Sequence, residues 1–262
     1  LIGMFILTGG VLWSNFRKHK VNVAESKRER DLKIISSSSV QSLILESAQD
    51  VSKVISKCND IYLGSINGLA RLNAEDLRTS KKEVSRLGKE IDKLRNELFY
   101  FIQEIEEENV MASHFYISLI SILEDMAQSL EYITKASYKH VNNNHRQLKY
   151  SQIKELKETQ ADLEGLLSDV RFAFDINGYE AFATFADKKE ELFANIDAKI
   201  NQQVQRTRSK EEKSPKNTTL FFGLMVETKD LIVATINLIE HYHLHYDPTV
   251  TPKKLGDEQK NK

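Results

Sequence analysis

The sequence predicts an all-α protein, and three observations support this. The 262 residues include ten Gly and three Pro, and 29% are charged, a composition that favours helix over sheet. Apolar residues recur at steps of three and four along most of the chain, which is the spacing of amphipathic helices. Strands would require a run of alternating β-branched residues, and none occurs. We therefore expect six long helices.

Residues 1–16, LIGMFILTGGVLWSNF, carry no ionisable side chain and are followed by the basic residues 17–20, RKHK. A secretory signal would place its basic region first. Trp13 and Phe16 lie where interfacial aromatic anchors are found. Sixteen helical residues span roughly 24 Å, less than the roughly 30 Å of a bilayer core. We interpret the segment as the end of a transmembrane helix that begins upstream, and a buried soluble helix is the alternative.

The basic cluster after this segment predicts its orientation. Lys and Arg accumulate on the cytoplasmic side of membrane spans. We therefore expect residues 17–262 to be cytoplasmic and the protein to lie in the inner (plasma) membrane. Residues 17–39 are charged and then Ser-rich, which predicts a linker or stalk.

Three helices are predicted between residues 40 and 148. The first starts near Val40, and its apolar positions are Leu43, Ile44, Val51, Val54, Ile55, Ile61 and Ile66. Asn73 is a predicted helix cap or break. The second helix has the cleanest heptad-like stripe, formed by Val84, Leu87, Ile91, Leu94, Leu98, Ile102 and Ile105. The third, about 109–140, is more apolar and is expected to be central, and a polar loop at 142–148 ends it.

Three more helices are predicted after this loop. Ser151 is expected to cap the fourth, which runs to about Phe174, and Asn177-Gly178 is a turn signal. The fifth runs to about Lys210, with Phe182, Phe185, Leu192, Ile196 and Ile200 on its inner face. Ser214 and Pro215 predict the start of the sixth, which ends near Tyr246. The tail, residues 247–262, is expected to be disordered.

The breaks divide the chain into two predicted three-helix bundles, residues 40–148 and 149–246. The third and sixth helices resemble each other, and their alignment places Asp125 on Asp230. Such an alignment is consistent with an internal duplication.

Motifs for catalysis are missing from the sequence. It has no glycine-rich phosphate loop, GxSxG, CxxC or HExxH, so we predict that the protein is not an enzyme. Cys58 is predicted to be a small buried or half-buried thiol. Glu240 and His243 form one ExxH pair, whereas a di-metal bundle needs two. The run HYHLH is expected to be a solvated helix end, and His114 a hydrogen-bonded core or edge residue. A net charge of −1 without a basic, aromatic-interleaved patch argues against nucleic-acid binding.

Four carboxylates lie on the two most apolar helices. They are Glu124, Asp125, Glu227 and Asp230. Acids among apolar neighbours need partners, and Lys229 or cations on adjacent helices are the simplest ones. The alternative is a divalent cation with oxygen ligands, for which the acidic run at 104–108 is a further candidate.

Two stretches resemble a known family. They are HFYISLISILEDMAQSLEYITKASYKHVNNNH (residues 114–145) and TLFFGLMVETKDLIVATINLIE (residues 219–240). Together with the apolar start and its basic stop, they resemble the carboxy-terminal part of bacterial inorganic phosphate transporters with a PhoU-like extension. The resemblance covers about residues 1–246.

This resemblance implies a PhoU-like pair of antiparallel three-helix bundles that regulates phosphate transport without catalysing a reaction. It also implies partners: the permease portion of the same polypeptide, the lipid bilayer through residues 1–16, and a candidate homodimer. Such domains often hold metal clusters, so Glu124, Asp125, Glu227 and Asp230 become candidate ligands for a divalent or ferric ion. The chain departs from the family pattern at Leu130 and Val233, where acids would be expected.

Two other functions fit the residues alone. A helical dimerisation or scaffold module of a membrane protein would use the stripe from Val84 to Ile105. A metal-binding bundle would use the acids and the single ExxH pair.

Overall fold

The computed structural model describes residues 40–104 and 110–249, and every long element in this part of the chain is an α-helix. The helices are α1 (Val40–Arg71), α2 (Ala74–Glu104), α3 (Val110–Asn142), α4 (Tyr150–Ile176), α5 (Phe182–Arg208) and α6 (Pro215–His245). A short 3₁₀ turn, Tyr179–Ala181, precedes α5. The predicted all-α class and the six long helices are confirmed.

The helix ends show which local signals act. Asn73 caps α2, because its Oδ1 accepts hydrogen bonds from the backbone N–H groups of Glu75 (3.0 Å) and Asp76 (3.2 Å). Ser214 caps α6 with Pro215 in the first turn, as predicted. The prediction for Ser151 is wrong. The cap of α4 is Lys149, whose backbone N–H donates to Gln152 Oε1 at 2.9 Å.

The six helices pack around one apolar core. Helices α1, α2 and α3 contact one another, as do α4, α5 and α6, and the two sets are joined by contacts of α1 with α4 and of α3 with α6. All seven predicted apolar positions of α1 are buried, as are Val84, Leu87 and Ile91 of α2. Cys58 is buried as predicted, and burial raises the pKa of its thiol to about 12. The division into two domains at residue 148 stays a prediction.

Alternating helix directions give the bundle two distinct ends. At the terminal end, Gln41 of α1 donates to the backbone oxygen of His245 at 2.6 Å and accepts from the Asp247 N–H at 2.9 Å. At the other end, the loop end, Gln147 donates to Ala70 O (3.3 Å), and Asn217 donates to Gln147 O (3.0 Å). The loop end therefore contains the α1–α2, α3–α4 and α5–α6 connections.

Several predictions lie outside the described residues. They are the transmembrane segment 1–16, the linker 17–39, Ile105 with most of the acidic run at 104–108, and the tail from 250. Within residues 40–104 and 110–249, no helix is long and apolar enough to cross a bilayer.

Candidate functional site

The candidate site is a groove between α3 and α6, with a cavity of about 540 Å³. Its lining combines carboxylates, hydroxyls, amides and small apolar groups: Asp125, Gln128, Ser129 and Tyr132 of α3, and Glu227, Asp230, Val233, Ala234 and Asn237 of α6. We call this the α3–α6 groove.

Contacts near both ends of the groove fix the antiparallel register of its two helices. Towards the terminal end, the ring of Phe115 stacks on His241 with centroids 4.5 Å apart. Towards the loop end, Tyr132 lies against Gly223 so closely that an added Cβ there would be 2.6 Å from the tyrosine Oη. This register puts Asp125 of α3 and Asp230 of α6 at the same height along the bundle.

The electrostatics of the α3–α6 groove are acidic. Among the described residues, its lining includes three carboxylates, Asp125, Glu227 and Asp230, and no Lys, Arg or His. The pKa of Glu227 is raised, first by burial and then by the charge of Asp230, while a hydrogen bond with Ser129 acts in the opposite direction. The surroundings of Glu227 therefore favour its protonated form more than water does.

Glu124 does not belong to the groove, although it precedes Asp125. Adjacent helical residues point about 100° apart. The Glu124 carboxylate pairs with Arg95 of α2, at 2.9 Å from Arg95 Nη1. A partner on an adjacent helix was one of the predicted outcomes for this acid.

The predicted pairing of Lys229 with Asp230 is wrong. Lys229 Nζ lies 2.9 Å from Asp197 Oδ1 of α5, and 4.4 Å from the centre of the Phe193 ring. It thus points towards α5 and leaves Asp230 in the α3–α6 groove without that cation.

Metal binding by the four predicted residues stays a prediction, and the structure narrows it. Three of the four carboxylates share the groove and Glu124 lies elsewhere. Within residues 40–104 and 110–249, no group of three or more His, Cys, Asp or Glu side chains is arranged to hold a metal ion. Val233, where the family pattern has an acid, lines the groove with an apolar side chain. Leu130, at the other departure, is buried in the core.

The histidine-rich end of α6 is not the solvated helix end that the sequence predicted. Tyr242 is completely buried, and its hydroxyl lies 2.7 Å from Ser47 Oγ. His241 is half-buried, with its Nε2 2.8 Å from the backbone oxygen of Phe115, and burial lowers its pKa. His243 and Leu244 are exposed, so the expectation holds for one face of the helix only.

His114 departs from its prediction in the opposite direction. It is exposed, whereas the neighbouring Phe115 is fully buried. The buried histidine of α3 is His140, whose Nε2 lies 3.0 Å from the backbone oxygen of Arg146. His140 lies seven residues after the buried Ile133 and therefore shares its face of α3, and this spacing could have identified His140 as buried.

In comparisons with known proteins, no family model, no curated protein and no solved structure matches this chain. The family resemblance therefore depends on the two stretches in α3 and α6.

Proposed function

We propose that the chain is the regulatory domain of an inorganic phosphate transporter, acting at the cytoplasmic face of the inner membrane without catalysing a reaction. One observation carries the proposal. The two helices with the family resemblance, α3 and α6, lie side by side, and their aligned residues Asp125 and Asp230 line one groove. In this proposal residues 1–16 are the end of the transporter's last membrane span.

The mechanism we propose is conformational. The α3–α6 groove joins the two sets of helices, and its carboxylates repel one another when they are ionised. A divalent or ferric ion, or a basic side chain of the permease, would reduce this repulsion and favour a closer α3–α6 contact. Since α3 and α6 each extend from one end of the bundle to the other, such a change would reach the surfaces that contact the permease.

A charge-removing double variant tests the role of the groove. Asp125→Asn/Asp230→Asn in the complete transporter is expected to change the rate of phosphate uptake or its dependence on external phosphate. The matched control is Glu164→Gln/Asp187→Asn, two exposed acids outside the groove. Equal uptake by the wild type and both variants would argue against regulation through the groove.

Deletion of residues 40–246 tests the regulatory function as a whole. Unchanged phosphate uptake and unchanged phosphate sensing in the deletion mutant would overturn the proposal.

Elemental analysis of the purified protein tests the metal separately. A divalent or ferric ion that is lost in Asp125→Asn/Asp230→Asn would identify the cation, and its absence would leave a basic side chain as the groove's partner.

A second function, dimerisation of a membrane protein, is favoured by the end of α2. Phe99 (61% exposed), Tyr100 and Ile102 are exposed large apolar residues there. The rest of the stripe does not support it, because Val84, Leu87 and Ile91 are buried within the bundle. Sedimentation of the wild type and of Phe99→Ser/Ile102→Ser, with Leu244→Ser as an exposed control, would show whether the chain dimerises through these residues. A monomeric wild type eliminates this function.

A further inference from the structure

The two ends of the bundle carry opposite charge. The last turns at the loop end, residues 64–82, 135–158 and 200–222, contain fifteen Lys and Arg but six Asp and Glu. Those at the terminal end, residues 40–50, 95–104, 110–120, 168–190 and 238–249, contain four Lys and Arg and eleven Asp and Glu. The near-neutral net charge of the whole chain hides this separation.

Most of the loop-end cations have no ionic partner among the described residues. Within the described residues, four of the fifteen form an ion pair with a carboxylate: Arg78, Lys135, Lys154 and Arg206. The remaining eleven include Arg146, Lys210, Lys213 and Lys216, all of them exposed. Like charges held close together destabilise a folded protein. Folding alone therefore gives no reason for this concentration of positive charge.

Two of the loops at this end form a single surface. The Lys149 ammonium donates to the backbone oxygen of Glu211, which ties the α3–α4 loop to the α5–α6 loop. Lys216 Nζ lies 3.5 Å from His145 Nδ1, a second link between them. These two contacts thus join residues 143–149 to residues 209–216 in one surface. We call this the two-loop surface.

Little negative charge offsets these cations locally. Of the two acids in the α5–α6 loop, Glu212 is buried and accepts a hydrogen bond from the Ser214 N–H at 2.7 Å. The first turns of α4 and α6 also lie here, and helix N-termini carry partial positive charge suited to phosphate. Gln152, in the first turn of α4, is fully buried, and its Nε2 donor has no hydrogen-bond partner among the described residues.

We propose that the two-loop surface binds anions that carry several phosphate groups. Lysines act on phosphates as compact point charges, and several of them spread over two adjoining loops suit a ligand with several phosphates better than a single small anion. The ligand is either free in solution or a headgroup layer at a membrane surface. The inference is independent of the α3–α6 groove and of residues 1–16, so it can fail without affecting the proposed function.

Isothermal titration calorimetry of the full chain with sodium tripolyphosphate tests the proposal by measuring the binding affinity. Binding is expected to weaken as KCl is added, because salt screens exposed charges. Lys213→Gln/Lys216→Gln should lower the affinity at least about tenfold, since each substitution removes a charge-assisted contact with the phosphates. The matched control is Lys89→Gln/Lys93→Gln, two exposed lysines on α2, which should change the affinity less than about twofold.

Two further arms define the ligand. Flotation with phosphatidylglycerol vesicles, against phosphatidylcholine vesicles, distinguishes a headgroup layer from a free polyphosphate. Lys213→Arg/Lys216→Arg should retain binding, which attributes the loss to the positive charge, and an unchanged melting temperature of Lys213→Gln/Lys216→Gln excludes misfolding.

Three results would overturn the proposal. The first is no binding of either tripolyphosphate or phosphatidylglycerol vesicles. The second is equal loss in the two Gln double variants. The third is binding of an acidic polyglutamate peptide as tightly as tripolyphosphate.

Discussion

The two ends of the bundle are held together by different chemistry. At the terminal end, the rings of Phe115, Phe174, Tyr179 and Tyr242 pack with centroids 4.6–5.3 Å apart. At the loop end, polar links dominate: Glu155 with Arg206, Gln147 with Ala70, and Asn217 with Gln147. Added salt weakens the interactions between exposed charges, whereas it does not screen the packing of aromatic rings. We therefore expect the aromatic end to contribute more to the free energy of unfolding than the loop end does.

The largest expected effect is at the centre of the aromatic end. Tyr242→Ala should lower the free energy of unfolding by about 3–5 kcal/mol, because a fully buried ring is removed. Tyr242→Phe keeps the ring and loses the contact with Ser47, at a cost of about 1 kcal/mol. Urea denaturation measures both. If Tyr242→Ala lowered the free energy of unfolding by less than Tyr242→Phe does, the aromatic end would not be the more stable one.

Glycines test whether the loop end also contains tight packing. A Cβ at Gly68 of α1 would lie 2.8 Å from Leu77 Cγ of α2, so Gly68→Ala should cost about 1–3 kcal/mol. Gly88, in the middle of α2, has no neighbour within 4 Å of an added Cβ. Gly88→Ala should therefore stabilise the protein by about 0.5–1 kcal/mol. Thermal denaturation of the pair checks both signs, and destabilisation by both would show that helix propensity is not the deciding factor.

Stability should depend on pH with opposite signs at the two ends. Burial raises the pKa of Glu46, at the terminal end, to about 7 from 4.5. The contribution of Glu46 to the free energy of unfolding is complete below pH 4.5, where its carboxyl is protonated in both the folded and the unfolded state. This contribution decreases as the pH rises to about 7. Burial lowers the pKa of His140, at the loop end. Its contribution is complete above the ordinary pKa of about 6.5 and decreases at lower pH.

Melting curves between pH 4 and pH 8 separate the two groups. Glu46→Gln should remove the decline between pH 4.5 and 7, and His140→Gln should remove the decline below pH 6.5. If a variant shows the same change of melting temperature with pH as the wild type, the substituted residue does not contribute to that change.

The smallest expected effect concerns the charge excess at the loop end. Lys213→Glu should stabilise the protein by a few tenths of a kcal/mol at low ionic strength, since it reduces repulsion among exposed cations. The gain should disappear in 1 M KCl. Lys93→Glu, near the middle of α2, is the comparison and should give a smaller gain.

The helices could be predicted from sequence because the apolar period and the Asn73 and Ser214-Pro215 signals are local. The cap of α4 could not, since the N-cap residue is Lys149, a residue type that rarely caps helices, and the side chain that accepts from its backbone N–H is that of Gln152. Burial of Tyr242 was missed because the histidines around it are polar, while its ring contacts come from residues 63 to 127 positions earlier in the chain.

The candidate site was predictable in part. The sequence identified all four acids, yet the register of α3 against α6 determines that Asp125, Glu227 and Asp230 share a groove. Arg95 of α2 takes Glu124 away from it. To predict the opposite charge of the two ends, the directions of the helices must be known. Neither helix order nor composition places residues 143–149 beside residues 209–216.

Gln41 joins the first helix to the residues that follow the last one, so the described chain returns to its starting point. A short linker from residue 249 back to residue 40 would therefore close the chain into a ring. New ends opened in the polar stretch 143–147 would make a circular permutant that keeps all six helices. Such a permutant would test whether the six helices fold as one unit whose first and last described residues lie side by side.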